Sequence, residues 1–212
     1  MRKLTLALLP LILLIGCSSE PKQKTESQPA PRAAKKAEEP PDYATGRTAF
    51  QRLYVAARAF AGDVQPYMLE STYTKDAPAK EGKAGIWRAG FASPSKRAIK
   101  AYTWSGLSGE GAPDRGVTHS TEDEYNPSNS STQVFDIQFL KVDSDKALDQ
   151  SLKHGGKKLM DNDPNQPVIY RLSWNPRDSK LVWHVLYGSD RNDAKLRHMI
   201  DATTGAYIGI EK

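Results

Sequence analysis

The chain has 212 residues, one Cys, 38% hydrophobic and 26% charged residues, and a formal net charge of +5. That length suits one domain or two small ones. A single Cys excludes an internal disulfide framework and any multi-Cys zinc or iron–sulfur centre, and the modest charge argues against a dedicated nucleic-acid binder, which carries a clustered basic stripe.

Arg2 and Lys3 precede residues 4–15, twelve positions of which nine are Leu or Ile. As a helix this run would span about 18 Å, short of the roughly 30 Å hydrocarbon core of a bilayer. Residues 1–16 therefore read as the charged and apolar regions of a secretory signal peptide rather than as a membrane span. The run ends in Leu14-Ile15-Gly16-Cys17, which resembles the lipobox of bacterial lipoproteins. The resemblance implies cleavage before Cys17, a diacylglyceryl group on its thiol and acylation of its amine. Two or three acyl chains anchor stably where one binds only marginally. Ser18, not Asp, follows Cys17; in a Gram-negative envelope the resemblance then implies the outer membrane, facing the periplasm. The alternative is a soluble secreted protein with a Cys near its cleavage site.

Residues 17–42 form a tether. From Ser18 to Asp42 there is no Leu, Ile, Val, Met or aromatic residue, but five Pro and ten charges, five of each sign. Such a segment has nothing to bury and is expected to be disordered. The body, residues 43–212, holds every aromatic residue and is long enough to enclose a proper core.

Thr45 can cap a helix over residues 46–61, with Phe50, Leu53, Tyr54, Ala57 and Phe60 on one side and Gly62 as its stop. Strands are expected at 67–73, at 85–92 with Trp87, Ala89 and Phe91 facing inward, and at 97–104. Residues 105–131, rich in Gly, Ser, Asn and Pro, read as a long connection, and 133–142 as a further strand with Phe135, Ile137 and Phe139 on one face. Asp143 or Ser144 can cap a second helix to Met160, kinked at Gly155-Gly156. Strands at 168–174, 181–187 and 195–201 follow, extended by 206–210. Trp87 and Trp183 take the same place in the two halves, which suggests an internal duplication. The expected fold class is α+β: two units, residues 43–115 and 133–212 joined by a loop at 116–132, each laying a helix on one face of a three-stranded antiparallel sheet.

The ending Trp183-His-Val-Leu-Tyr-Gly, then Arg197-His-Met-Ile-Asp-Ala-Thr-Thr-Gly-Ala, resembles the PepSY fold. Asp201 can accept backbone N–H bonds across the turn, and Gly205 can take the positive φ that returns the chain. The first half is only PepSY-like, since Thr103-Trp104-Ser105-Gly106 stands at the matching place. The resemblance implies a non-catalytic envelope or secreted module, with no cofactor.

Chemistry-bearing residues are sparse. His119, His154, His184 and His198 show no HExxH spacing. His184 and His198 can be placed face to face on adjacent strands, where with Asp201 or Glu211 they would hold a metal; otherwise they are polar residues of an outer sheet face. Trp174, Trp183, Tyr187, Arg171, Arg191 and Arg197 gather in the second half. These types dominate binding hot spots and half-buried sheets alike. Three functions are compatible: a non-enzymatic, lipid-anchored binder of an envelope protein or peptide, a metal-binding lipoprotein, or a structural spacer.

Overall fold

The computed structural model describes residues 39–109 and 112–211. The signal segment, Cys17 and most of the tether lie outside the described residues. The body is α+β, with eight antiparallel strands in one sheet and a two-stranded ribbon beside it.

In chain order, β1 (Ala44–Thr45) leads directly into α1 (Gly46–Ala57). The Thr45 hydroxyl accepts from the Thr48 amide, and Ala49, Phe50, Leu53 and Ala57 are buried. Regular helix stops one turn before the expected end. Ala59 and Phe60 instead bond to the carbonyls three residues back, a tightened turn that tucks Phe60 into the core. β2 (Gln65–Ser71), β3 (Lys83–Ala84), β4 (Ile86–Ser93), β5 (Ala98–Ser105) and β6 (Gly116–Glu124) follow. The second half comprises α2 (Ser144–Ser151), a π-turn at Leu152–Gly156, α3 (Lys157–Asn162), β7 (Ile169–Asn175), β8 (Lys180–Leu186), β9 (Arg197–Asp201) and β10 (Tyr207–Ile210).

Three expectations are corrected. The connection expected at 105–131 contains β6, nine residues long and largely exposed. With no apolar alternation it is held by its backbone ladder to β5 and by polar contacts such as the Lys100–Glu122 pair and the Ser120 hydroxyl accepting from the Ala101 amide. The strand expected at 133–142 is absent; a 3₁₀ turn at Ser130–Thr132 precedes that segment and another, Ile137–Phe139, lies within it. Asp136 accepts from the Gln138 amide and bends the chain, so Phe135 is buried while Ile137 is 42% exposed. The two three-stranded sheets are one continuous sheet, ordered β10-β9-β8-β7-β2-β4-β5-β6. Its seam is the β2–β7 pairing, with Leu69 opposite Leu172 and Glu70 opposite Arg171.

A fourth difference concerns the tether. Its last residues, 39–42, lie on the body, where Glu39 pairs with Arg115 at 3.2 Å and the Asp42 amide donates to the Gly106 carbonyl. Backbone and charge contacts order them without apolar burial.

One cluster of apolar side chains joins α1 and α2 to the inward residues of the sheet. At its centre Trp87 and Trp183 meet edge to face, with ring centroids 6.3 Å apart. Each indole N–H donates at 2.9 Å to a carbonyl just before a helix, Trp87 to Ala44 and Trp183 to Val142. The two helix N-termini also touch. Asp143 accepts from Ser144 at the start of α2 and from Arg47 of α1, while the Ser144 hydroxyl accepts from Gly46 and donates to the Gly82 carbonyl. One carboxylate thus serves two helix N-termini, where negative charge is stabilising.

Candidate functional site

The helices cover one face of the sheet; the other carries a polar row. Directly opposed residues share a face, and the registers line up Arg88, Glu70, Arg171, His184 and Met199 across β4, β2, β7, β8 and β9. Arg171 donates to Glu70 at 2.8 Å. The His184 ring bonds through Nδ1 to Glu211 at 3.0 Å and approaches Ser173 Oγ through Nε2 at 3.4 Å. Arg191 lies 3.6 Å from the other Glu211 oxygen. The His184 hydrogen bond, helped by the charges of His184, Arg191 and Arg197, holds the Glu211 carboxyl below its ordinary value against the opposing effect of burial.

Arg171, Ser173, His184, Arg191, Met199 and Glu211 line a groove of about 610 Å³, within the size range of ligand sites. Its walls come from the β7–β8 turn, from Arg191 in the β8–β9 loop, and from Ile210 and Glu211 at the end of β10. Glu211, His184 and Ser173 follow the order of a Ser–His–acid set. Yet Ser173 lies in mid-strand, paired with Met68 on one side and Val182 on the other. The backbone amides beside it are committed to the sheet, leaving none grouped to hold an oxyanion. Glu211 and Ser173 hold the His184 ring from its two nitrogens.

The sequence-derived candidates separate by face. Arg171 and Arg191 line the groove, and Arg197 braces it by donating to the Arg191 carbonyl; Trp174 borders it at the β7–β8 turn, but it pairs with Leu181 and packs on Phe139 on the helix side. Trp183 and Tyr187 are fully buried among the helices and take no part in a binding face. The expected pairing of His184 with His198 is corrected by register. His184 lies opposite Met199 and His198 opposite Val185, so the two imidazoles project from opposite faces and cannot share a metal. Among the described residues no group of three or more His, Cys, Asp or Glu is arranged to hold a metal ion. In the closing turn Asp201 accepts from Thr203 and Thr204, Gly205 has φ +78°, and Lys180 lies 3.1 Å from the carboxylate. Glu70 and Ser173 escaped the sequence reading. The alternation of β7 placed Ser173 outward beside Arg171, but nothing local announced that β2 would deliver Glu70.

A second polar cluster lies under the π-turn. The Ser151 hydroxyl meets the Tyr187 hydroxyl at 2.7 Å and His198 Nδ1 at 2.8 Å, while His198 Nε2 is buried without a partner. His154, just off helical geometry, stacks on Tyr207 at 3.7 Å. Burial, reinforced by nearby His154, pushes the His198 pKa below its ordinary 6.5. The unfolded chain therefore takes up a proton that the folded one refuses, and stability falls as pH drops through 6.5 toward the folded value. Urea unfolding at pH 7.5, 6.5 and 5.5 is expected to show a falling midpoint that flattens in His198→Leu. The lowered carboxyls of Asp63, Asp193, Asp201 and Glu211 add their losses only at more acid pH. An equal slope in the variant would assign the effect elsewhere.

No protein-family model, curated protein or solved structure matches the chain. No helix among the described residues is long and apolar enough to cross a membrane.

Proposed function

We propose that the chain is a lipid-anchored, non-enzymatic protein of the cell envelope that binds a protein or peptide partner through the helix-free face of its sheet. The observation that carries this reading is the groove of about 610 Å³, in which Arg171 and His184 are already oriented by carboxylates. Groups held in place before a ligand arrives lose less freedom on binding. The lipobox-like Leu14-Ile15-Gly16-Cys17 and the Pro-rich tether supply the anchor and the reach, and Ser18 favours the outer membrane of a Gram-negative envelope. A nucleic-acid partner is not part of the reading.

The body is read as two PepSY-like units joined edge to edge. In support, β2, β4, β5 and β6 run outward from the seam on one side as β7, β8, β9 and β10 do on the other. Trp87 and Trp183 make matching bonds in front of α1 and α2. A metal-holding role lacks comparable support, because its two histidines stand on opposite faces.

One experiment covers both parts of the proposal. The intact protein is expected in the membrane fraction, and Cys17→Ser in the soluble fraction. Crosslinking in whole envelopes should trap a saturable partner that Arg191→Glu no longer captures. Membrane retention of Cys17→Ser would sink the anchor, and undiminished capture by Arg191→Glu would sink the face.

A further inference from the structure

The groove contains an internal clue to its ligand. Resting on the binding reading above, we propose that it receives an acidic, carboxylate-bearing peptide segment, and that Glu211 occupies the receiving position until the segment arrives. Two of the groove's three arginines, and His184, meet carboxylates of the chain itself. Arg171 holds Glu70 at 2.8 Å, while His184 and Arg191 converge on the two oxygens of Glu211 at 3.0 and 3.6 Å. The site is thereby shaped and charged for this group.

Glu211 is the exchangeable member. It follows β10, a four-residue strand at the edge of the sheet with a register shift at Gly209 and an Ile210 that is 56% exposed. Short edge elements of this kind open at little cost. Arg191 is itself 48% exposed, and at 3.6 Å it is beyond close hydrogen bonding to Glu211, so its donors are available to an incoming oxygen. Arg177, on the opposite wall, has no ion-pair partner among the described residues. The three arginines of the groove are balanced by Glu70, Asp178 and Glu211, so its capacity for a ligand lies in Arg177 and the loosely held Arg191, which suits a single peptide carboxylate better than a densely charged polymer. Met199, opposite His184, gives the segment an apolar surface to lie on.

The test is fluorescence anisotropy of dye-labelled tetraglutamate on the full chain, with tetraglutamine and tetralysine as controls. Saturable binding of tetraglutamate alone is expected. Arg191→Gln and Arg171→Gln should weaken it about tenfold each, as for the loss of a charge-assisted contact. Glu211→Gln should tighten it about fivefold, because removing an internal competitor raises the binding-competent fraction. Arg58→Gln, on the exposed end of α1, should leave it unchanged. Tightening by Glu211→Gln is the outcome that a purely structural Glu211 does not give. Equal binding of tetraglutamine, or unchanged or weaker binding by a folded Glu211→Gln, overturns the proposal. Should that variant unfold, titration of the unaltered protein decides: tetraglutamate must shift the His184 imidazole resonances, and their failure to move refutes it. A partner captured through this face that binds Arg191→Gln as well as the parent would refute the acidic ligand while leaving the binding face in place.

Discussion

Replacing Trp183 by alanine is expected to lower the free energy of unfolding by about 3–5 kcal/mol, the usual range for a buried Trp cut to alanine. The side chain is fully buried, and three separate losses coincide there. The Val142 carbonyl loses its indole donor ahead of α2. Trp87 loses the neighbour whose edge or face it packs against at 6.3 Å. The start of α1 loses its floor, since a methyl group built on Gly46 would sit only 2.4 Å from the far edge of the Trp183 ring. Trp183→Phe keeps most of the volume and gives up the hydrogen bond to a half-buried carbonyl, so about 0.5–1.5 kcal/mol is expected. Equilibrium urea unfolding measures both. A Trp183→Ala loss below about 1 kcal/mol, surface-mutation territory, would mean that the Trp pair is not the centre of the core.

The second large effect is expected from Gly156→Ala. Gly156 has ordinary helical angles, φ −58° and ψ −37°. Alanine should by propensity alone improve the helix by about 1 kcal/mol. Sterics decide the sign instead. The new methyl would stand 1.8 Å from the Tyr187 hydroxyl oxygen, 2.5 Å from the ring carbon bearing it and 2.9 Å from the Ser151 carbonyl. Tyr187 is fully buried and cannot withdraw without breaking its bond to Ser151. Overpacking and the lost bond together outweigh propensity, for a net destabilisation of about 2–3 kcal/mol. Tyr187→Phe should cost less in the Gly156→Ala background than in the parent, because the most crowded atom is then gone. Additive costs would show that the two sites do not touch in solution.

The elements with an apolar period were readable from the chain: α1, the two tryptophan strands and the kink at Gly155-Gly156. β6 was not, because an edge strand wet on both sides leaves no hydrophobic trace. Residues 133–142 misled for the opposite reason: an alternating Phe-Ile-Phe pattern lies on a chain that Asp136 bends into a 3₁₀ turn. For the groove, alternation in β7 and β8 was enough to turn Arg171 and His184 outward. The assignment of His198 to the same face failed because register is a property of two strands. One residue of offset between β8 and β9 places it among the helices. Glu70 lay beyond any local signal, since its encounter with Arg171 depends on which strand edges join.

That junction has a consequence for how the chain is made. Glu70 and Arg171 are 101 residues apart, so β2 is synthesised long before β7 can pair with it. At ordinary translation rates the interval is about 5–20 s. During it the first half carries an open strand edge beside Leu69, able to pair with any extended segment nearby, including β2 of a sibling chain. Closure of the seam also carries the loop entropy of the whole interval, which favours late and slow completion. Exchange of second halves between chains is the misassembly that such an open edge favours.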